Sequence, residues 1–350
     1  MAFFGKSIPT TSVPKDIEVV APPSDSVSRV AFSPVADLLA VSSWNNEVRI
    51  YDVGPNGETQ PRGMYTHDGP VLDLSWSSDG EMLLSASADR TAKAFHVQTQ
   101  QAMQVAAHDD AVSAIRWIQT PTSAFIATAS WDKTLKYWTV GNPSPIASIQ
   151  LPERCYAMDA VYPTLVLGLA GNEAAERVLV INLTNPTEIA KRYVSPLKKE
   201  TRSIAIFPDG SGWAMGSSEG RLAIQYVSEA ERKNNYSFRC HRVEDKPRKQ
   251  VDVYALNNIC FHKEQGTFVT CGSDGTMSSW DHRSKMKIKL YDNLGGPVVS
   301  ASYNRTGKLL AYAVAYDWSK GYSGMTINHT NKVFIHICSE QDVSRRPARS

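Results

Sequence analysis

The stretch TASWDKTLKYWT, residues 128–139, decides the fold of this chain, because copies of it recur along the sequence. The clearest copies are SSWNNEVRIYD (42–52), SASADRTAKAFH (85–96) and TCGSDGTMSSWD (270–281). Each copy starts with a polar turn and continues into a strand pattern that ends in an aromatic residue. The aromatic residues at these equivalent positions are Tyr51, Phe95, Trp138 and Trp280. The first three lie about 43 or 44 residues apart, within the period of about 40–45 that four-stranded blade repeats show.

Weaker copies fall in phase with the clear ones and bring the total to seven. They are RVLVINL (177–183), SSEGRLAIQYV (217–227) and KVFIHIC (332–338). Strand patterns follow one another through turns rich in Gly, Pro and Asp, and no helical period separates them. A flat sheet of about 28 strands would leave long exposed edges. The sequence therefore predicts an all-β, seven-bladed β-propeller with four-stranded blades around a central channel.

The repeats predict one domain over residues 16–339, because each repeat unit packs only on its neighbours. We expect the strand pattern DIEVV, Asp16 to Val20, to close the ring as the outer strand of the last blade. Residues 1–15 and the basic segment 340–350 are expected to be flexible. A charged insert from Ser228 to Asp252 and the interval between Tyr312 and Val333 interrupt the period. Such long loops are where a propeller scaffold usually carries function.

Composition limits the class and the compartment of the protein. Hydrophobic residues make up 42% of the chain and aromatic residues 9%, and no uninterrupted apolar run of about 18 residues predicts a membrane span. Five scattered cysteines without tight pairing favour a reducing cytosolic or nuclear compartment. The net charge of +2 is too small to indicate nucleic-acid binding, so any such role would depend on local clusters.

Polar residues recur with the repeat and predict buried networks that hold turns to strands. The third unit contains His108, Thr128 or Ser130, and Asp132, followed by Trp138. The second unit keeps His67 and Asp89, with Phe95 in place of the tryptophan, and Asp274 marks the same turn in the sixth. One histidine, one hydroxyl and one carboxylate also form a hydrolase triad. Recurrence with the repeat favours the structural interpretation, because buried polar groups need partners.

No pattern predicts a metal, a cofactor or a catalytic site. The candidate zinc ligands are Cys240, His241, Cys260, His262 and Cys271. Their spacing lacks the paired cysteines of zinc sites, and Cys260 and Cys271 fall in strand patterns as small core residues. Neither a Walker-type phosphate loop nor a dinucleotide-binding glycine motif occurs.

Two tryptophans and one arginine predict a protein-binding face. Trp44 and Trp131 immediately precede the polar turn of their units, where small residues are usual, and aromatic anchors dominate protein interfaces. Arg221 stands at the corresponding turn of the fifth unit and can bind a partner carboxylate bidentately. The alternatives are packing of the indoles between blades and a structural ion pair between Arg221 and Glu219.

A second cluster predicts contact with RNA. Lys285, Lys287 and Lys289 alternate along one strand pattern just after Arg283, which would place three cations on one side of a strand. The segment NYSFRCHR adds rings and cations suited to base stacking and phosphate contact. Its candidate residues are Phe238, Arg239 and Arg242. The alternative is that these lysines only protect an edge strand from pairing with other sheets.

At these residues the chain resembles the WD-repeat mRNA export factors of the nuclear pore, which are related to a mitotic-checkpoint propeller. The resemblance covers about residues 16–337. It rests on GPVLDLSWSSDG (69–80), SWDKTLKYW (130–138), LPERCY (151–156), SPLKKETRSIAIF (195–207), EGRLAIQY (219–226), SFRCHR (237–242), GSDGTMSSWD (272–281) and YDWSKG (316–321). LPERCY, the FRCHR part of SFRCHR, and YDWSKG resemble the export branch rather than the checkpoint branch.

The resemblance implies a seven-bladed propeller that binds a short GLEBS-type segment of an FG-repeat nucleoporin through Trp44, Trp131 and Arg221. It also implies RNA contact through a basic, aromatic surface that includes Phe238 and Trp280. His282 departs from the cation that is common in relatives. The expected function is a non-enzymatic adaptor at the nuclear pore, at the nuclear envelope rim and shuttling to the cytoplasm, with a link to spindle assembly. The alternative is a kinetochore scaffold of the spindle checkpoint that uses the same face.

Overall fold

The computed structural model describes residues 16–172, 175–245, 247, 249–292, 294–326 and 329–345. Seven four-stranded antiparallel sheets form the blades of one ring, so the predicted seven-bladed propeller is confirmed. The chain begins with β1 (Ile17–Glu18). Blade one is β2 (Val27–Phe32), β3 (Leu38–Ser43), β4 (Glu47–Val53) and β5 (Thr59–Thr66). Blade two is β6 (Val71–Trp76), β7 (Met82–Ser87), β8 (Thr91–His96) and β9 (Gln101–Ala107). Blade three is β10 (Val112–Gln119), β11 (Ala124–Ser130), β12 (Thr134–Trp138) and β13 (Ala147–Gln150).

The second half of the ring repeats this plan. Blade four is β14 (Cys155–Val161), β15 (Thr164–Leu169), β16 (Val178–Asn182) and β17 (Lys191–Tyr193). Blade five is β18 (Thr201–Ile206), β19 (Gly212–Ser217), β20 (Arg221–Tyr226) and β21 (Tyr236–Arg239). After β22 (Arg242–Asp245) and β23 (Gln250–Val253), blade six is β24 (Leu256–Phe261), β25 (Phe268–Gly272), β26 (Met277–Asp281) and β27 (Met286–Tyr291). Blade seven combines β28 (Val298–Tyr303), β29 (Leu309–Val314) and β30 (Lys332–Ile337) with β1.

The aromatic residues that define the repeat occupy equivalent positions in their blades. Tyr51, Phe95, Trp138 and Trp280 each lie in the third strand and pair with an apolar residue of the second strand. Second strands are buried throughout, because neighbouring blades cover both of their faces. This explains why they read as continuous apolar runs rather than as alternating patterns.

Polar side chains of one inner strand bind backbone N–H groups of the next. Asp73 accepts from the N–H of Ile115 at 3.1 Å, and Asp159 accepts from that of Ile206 at 2.8 Å. Ser300 of blade seven accepts from Val30 of blade one at 3.1 Å. The last of these bonds crosses the point where the ring closes.

The terminal segments meet in blade seven. β1 is hydrogen-bonded to β30, with Ile17 opposite Ile335. The structure differs from the expectation of a flexible tail from residue 340, because the short helix α1 (Glu340–Val343) buries Asp342 and Val343 against blades six and seven. Residues 1–15 and 346–350, also expected to be flexible, lie outside the described residues.

The charged insert is not a structureless loop. Residues 229–234 form a 3₁₀ turn, and β21, the outer strand of blade five, lies within the insert. β22 and β23 form a separate two-stranded sheet. The repeat pattern did not show β21 because this strand has only four residues, YSFR, and follows a charged 3₁₀ turn rather than a short hairpin loop.

Two faces of the ring follow from the strand order. In an antiparallel blade, the turn from the second to the third strand lies at the same end as the connection to the next blade. We call this end the first face and the opposite end the second face. Trp44, Trp131 and Arg221 all follow second strands, so they lie on the first face.

Candidate partner-binding site

Three histidine networks anchor the loops of the first face. In blade three, Nδ1 of His108 lies 2.9 Å from Oδ2 of Asp132, and Nε2 lies 2.7 Å from the Thr128 hydroxyl. The Trp138 indole N–H donates to the same hydroxyl at 2.8 Å. The hydroxyl of Ser130 donates instead to the carbonyl of Asp110. The sequence left the choice between Thr128 and Ser130 open, and the structure places Thr128 in the network.

The same network occurs in blades two and six. His67 bonds to Asp89 at 2.9 Å and to Ser85 at 2.7 Å. His241 bonds to Asp274 at 3.0 Å and to Thr270 at 2.9 Å, and the Trp280 indole donates to Thr270 at 3.0 Å. Trp280, predicted as an RNA-binding residue, thus also completes a structural network.

The networks have the hydrogen-bond pattern of hydrolase triads, but their hydroxyls are buried and not accessible to a substrate. The side chains of His67 and His108 are 0% exposed, and the hydroxyls they contact are equally buried. Burial lowers the pKa of both histidines, although the neighbouring carboxylates oppose this effect. Burial raises the pKa of Asp132, but hydrogen bonds from Thr134 and the Asp109 backbone and the nearby His108 outweigh it and lower the pKa overall. These groups hold turns in place, since no substrate can reach the hydroxyls.

One backbone hydrogen bond identifies the position of Trp44 and Trp131 in every blade. Each occupant donates its N–H to the carbonyl that precedes the inner strand. The seven occupants are Trp44, Ala88, Trp131, Ala170, Ser218, Ser273 and Ala315. Five are small, so a blade does not require an indole at this position, although Nε1 of Trp131 is buried. Both are half-buried, and each displays part of its ring on the first face.

Arg221 belongs to a small charged cluster on the same face. Its Nε lies 3.6 Å from Oε1 of Glu219, and the two side chains are 28% and 23% exposed. Arg242 donates to the backbone carbonyl of Glu219 at 3.2 Å. Arg239 is the cross-strand neighbour of Arg221. The Arg221–Glu219 contact is longer than a hydrogen bond and only partly exposed, so a carboxylate of a partner would compete with Glu219 for the guanidinium.

The central channel opens at the middle of the first face into a cavity of about 240 Å³. In every blade, one residue of the inner strand interrupts the register with the second strand. These seven residues line the cavity: Ser28, Leu72, Ser113, Tyr156, Arg202, Asn257 and Val299. Arg202 is exposed there, donates to the carbonyl of Asp317 at 3.2 Å, and has no ion-pair partner among the described residues.

Sequence reasoning missed Arg202. The sequence indicated Arg202 only through its position in the SPLKKETRSIAIF stretch. A single arginine in an inner-strand pattern does not predict that its side chain faces the channel. Deeper in the channel, Arg116 binds Asp73 and lies 2.9 Å from Asp159. Burial lowers the pKa of Arg116, but these two carboxylates outweigh it and raise the pKa overall. Arg116 is therefore satisfied internally, which leaves Arg202 as the open cation of the channel mouth.

A second cluster joins aromatic rings and lysines along blades five and six, and we call it the aromatic–lysine surface. The rings of Tyr236 and Phe238 lie 6.1 Å apart, and those of Phe238 and Trp280 lie 4.7 Å apart. The Lys285 ammonium lies 4.7 Å from the Tyr236 ring centroid, and the Lys287 ammonium lies 4.9 Å from that of Trp280. Sequence analysis did not single out Tyr236, which extends the row of rings by one.

The predicted comb of three lysines is wrong. Lys285 precedes β27 at a φ of 57°, and the pairing of β27 with β26 shifts register at Ile288, between Lys287 and Lys289. Lys289 forms an ion pair with the buried carboxylate of Asp342. Lys285 and Lys287 therefore extend over the rings of Tyr236 and Trp280, whereas Lys289 lies over the ring of Tyr291 and belongs to the closure of the propeller.

Two of the other candidate residues for RNA, Arg239 and Arg242, do not form one surface with the rings. Arg239 is exposed on the side of β21 opposite Phe238. Arg242 lies in β22 beside Glu219 on the first face. Arg283 is on the second face, 3.4 Å from Asp209, and lines the same pocket as Tyr236 and Lys285, so it adjoins the aromatic–lysine surface. The sequence grouped Arg239 and Arg242 with Phe238 because the three are close in the chain, although successive residues of a strand point to opposite sides.

Across residues 16–172, 175–245, 247, 249–292, 294–326 and 329–345, no group of three or more His, Cys, Asp or Glu residues is arranged to hold a metal ion. The same residues include no helix of the length and apolarity needed to cross a membrane. Cys240 and Cys271 are buried, and burial raises the pKa of the Cys240 thiol to about 12.

Comparison with known proteins adds independent information. A family model described as the Anaphase-promoting complex subunit 4 WD40 domain matches residues 30–120, and a model of the WD domain, G-beta repeat matches residues 236–281. The chain is 47% identical over 356 residues to the Poly(A)+ RNA export protein of Schizosaccharomyces pombe, across 100% of this chain and 99% of the relative. It is 41% identical to the mRNA export factor GLE2 of Chaetomium thermophilum, across 99% and 98%. It is 42% identical to Protein Rae1 of Drosophila melanogaster, across 95% and 96%.

Proposed function

Because the chain belongs to the family of WD-repeat mRNA export factors, we propose that it is a non-enzymatic adaptor that links messenger ribonucleoprotein to the nuclear pore. Its first face binds a GLEBS-type segment of an FG-repeat nucleoporin, and its aromatic–lysine surface binds RNA. The protein then locates to the nuclear pore at the envelope rim and shuttles to the cytoplasm. The names of the relatives, which refer to export of mRNA or poly(A)+ RNA, support this role.

One observation carries the proposal for the nucleoporin segment. Two of seven equivalent small-residue positions hold tryptophans, and both lie on the face that carries Arg202, which has no ion-pair partner among the described residues, and Arg221, which pairs with Glu219 at 3.6 Å. Apolar rings beside these cations suit a segment that alternates apolar and acidic residues. The propeller face is preformed, so only the segment loses conformational freedom on binding.

A capture experiment tests this face. The double variant Trp131→Ala/Arg221→Glu removes one aromatic anchor and reverses one charge. We expect it to raise the Kd for a GLEBS-type segment by at least about 100-fold. The matched control is Trp213→Phe/Arg192→Glu, because Trp213 is buried between blades four and five and Arg192 is exposed on an outer strand. Undiminished capture by the folded double variant contradicts the assignment.

RNA contact is supported by the ring and cation geometry along blades five and six. Stacking of bases on aromatic rings contributes about 1–3 kcal/mol per base, and lysines add a salt-dependent attraction for phosphate. Phe238 is half-exposed and packs against Trp280, so its ring is the most direct stacking candidate. A Phe238→Ala variant should bind single-stranded RNA more weakly at every salt concentration, whereas equal affinity would assign Phe238 to packing alone.

Location separates the adaptor from the kinetochore scaffold that shares its fold. A fluorescent fusion at the nuclear rim in interphase supports the export role. A signal confined to kinetochores in mitosis would instead assign the first face to checkpoint partners.

A further inference from the structure

Trp44, predicted as an isolated loop tryptophan, stacks on a second indole. Its ring centroid lies 4.0 Å from that of Trp318, with 24° between the planes. Trp318 lies between β29 and β30 of blade seven, so two blades that meet at the ring closure contribute one ring each. Both indoles are half-buried, and both line the cavity at the channel mouth.

Hydrogen bonds fix the segment that carries Trp318. The carboxylate of Asp317 accepts from the Ser273 hydroxyl and from the backbone N–H of Ser319. The hydroxyl of Tyr316 donates to the carbonyl of Gly321 at 2.8 Å. Because Arg202 donates to the carbonyl of Asp317, the same segment also brings the open guanidinium next to the stacked rings.

Two unfavourable features accompany the position of Trp318. Its φ is 57°, in the left-handed region that bulky residues rarely adopt. Its indole Nε1 is buried and lacks a hydrogen-bond acceptor among the residues that the structure describes. Backbone strain of this kind concentrates at binding and active sites, where the surrounding structure maintains it for function. Here the surrounding hydrogen bonds hold the half-buried indole of Trp318 at the channel mouth.

We propose that Trp318 is a further partner-binding residue, and that the Trp44–Trp318 pair is a platform for one large apolar side chain of the acidic partner segment. Arg202 binds a carboxylate of the same segment close to that side chain. The proposal rests on the function proposed above for the first face. It adds a specificity rule: the partner segment needs a large apolar residue opposite the Trp44–Trp318 pair. A segment with carboxylates but no such residue leaves both indoles exposed to water and binds more weakly.

Three single variants test the platform, with Kd measured for a synthetic GLEBS-type segment by titration calorimetry. Trp318→Ala should weaken binding by about tenfold or more, because it removes half of the platform. Trp318→Phe keeps an aromatic ring and should retain most of the affinity. Tyr322→Ala is the matched control, because Tyr322 lies in the same segment, is 86% exposed and does not line the cavity. It should change Kd by less than about twofold.

A second arm keeps the proposal testable if Trp318→Ala impairs folding. Each large apolar residue of the segment is replaced by alanine and titrated against the unchanged protein and Trp44→Ala, which removes the other ring of the platform. One replacement should weaken binding to the unchanged protein, and its effect should be smaller in Trp44→Ala, which shows coupling between the two side chains. Additive effects for every replacement would overturn the platform.

The outcomes separate the platform from the proposed function. If Trp131→Ala/Arg221→Glu loses capture while Trp318→Ala binds as well as or better than the unchanged protein, the platform is wrong and the first-face site stands. Equal losses from Tyr322→Ala and Trp318→Ala also overturn it, since the loss would then come from the segment as a whole. If the unchanged protein fails to bind the segment, both proposals are wrong.

Discussion

Replacing His336 with glutamine should abolish a pH-dependent part of the stability of the ring. Nδ1 of His336 lies 2.7 Å from Oδ1 of Asp16, just before β1, and Nε2 lies 3.3 Å from Oδ2 of Asp342 in α1. The hydroxyl of Tyr312 donates to the other oxygen of Asp16 at 2.7 Å. Lys289 pairs with the other oxygen of Asp342. One imidazolium thus links the segments at both ends of the propeller.

The magnitude follows from the pKa of His336. Burial lowers this pKa, but the hydrogen bonds that the imidazolium donates to Asp16 and Asp342, together with their negative charges, outweigh burial and raise it from 6.5 to about 9. A shift of about 2.5 pKa units corresponds to about 3 kcal/mol of stability. Because the pKa is higher in the folded state, this contribution is fully present below about pH 6.5 and is lost as the pH rises through about 9.

The assay is urea unfolding of the unchanged protein and His336→Gln at pH 6.5 and pH 9.5. At pH 6.5 the variant should be less stable by about 3 kcal/mol, and at pH 9.5 the difference should nearly disappear. His96→Gln is the control, because Nδ1 of His96 accepts from the backbone N–H of Thr99 rather than binding a carboxylate. The reasoning is refuted if His336→Gln and the unchanged protein lose the same stability between the two pH values.

Three further predictions address the ring, the networks and the RNA surface. Deleting residues 1–22 removes β1 and should lower the melting temperature by about 5 °C or more, while an unchanged melting curve would show that the ring closes without this strand. Asp132→Ala should cost about 1–3 kcal/mol in chemical denaturation because it removes the carboxylate that binds His108 and Thr134, whereas Asp109→Ala at an exposed neighbouring position should cost little. Lys287→Glu should weaken RNA binding and reduce the dependence of log K on log salt by about one phosphate contact, and Lys308→Glu on blade seven should leave both unchanged. Equal salt slopes in the Lys287 and Lys308 variants would show that Lys287 does not contact an RNA phosphate.

The sequence predicted the fold because its signal repeats. Tyr51, Phe95 and Trp138 recur at the blade period, and each pairs with the second strand of its own blade, which is close in the chain. The described residues of blade four form no network like those of His67, His108 and His241. There the buried guanidinium of Arg177 donates to the carbonyls of Gly171, Leu197, Lys198 and Lys199. This arrangement of Arg177 occurs in one blade and does not repeat along the sequence, so sequence periodicity did not predict it.

The parts of the site that the sequence missed depend on contacts between distant segments. The stack of Trp44 on Trp318 joins residues at opposite ends of the chain, and it forms only after the ring closes. The pairing of Lys289 with Asp342 likewise converts an apparent surface cation into a structural one. Spacing in a sequence shows which residues share a strand, but it does not show which charge lies opposite them.

Separation of Arg239 and Arg242 from the aromatic row has a related cause. The row runs along one side of β21, whereas Arg239 projects from the other side and Arg242 begins a different sheet. Sequence analysis treated SFRCHR as one cluster of rings and cations. The strand boundary at Cys240 and the alternation of side chains divide that cluster between two surfaces.

The most direct test of the account is rescue of RNA export in cells depleted of this protein. Nuclear and cytoplasmic polyadenylated RNA are measured by in situ hybridisation after expression of the unchanged protein or the Trp131→Ala/Arg221→Glu variant at equal levels. The account predicts that the unchanged protein restores cytoplasmic polyadenylated RNA and that the variant leaves it in the nucleus and is lost from the envelope rim. Full restoration by a folded variant that no longer captures the nucleoporin segment would contradict the claim that the first face connects this propeller to export.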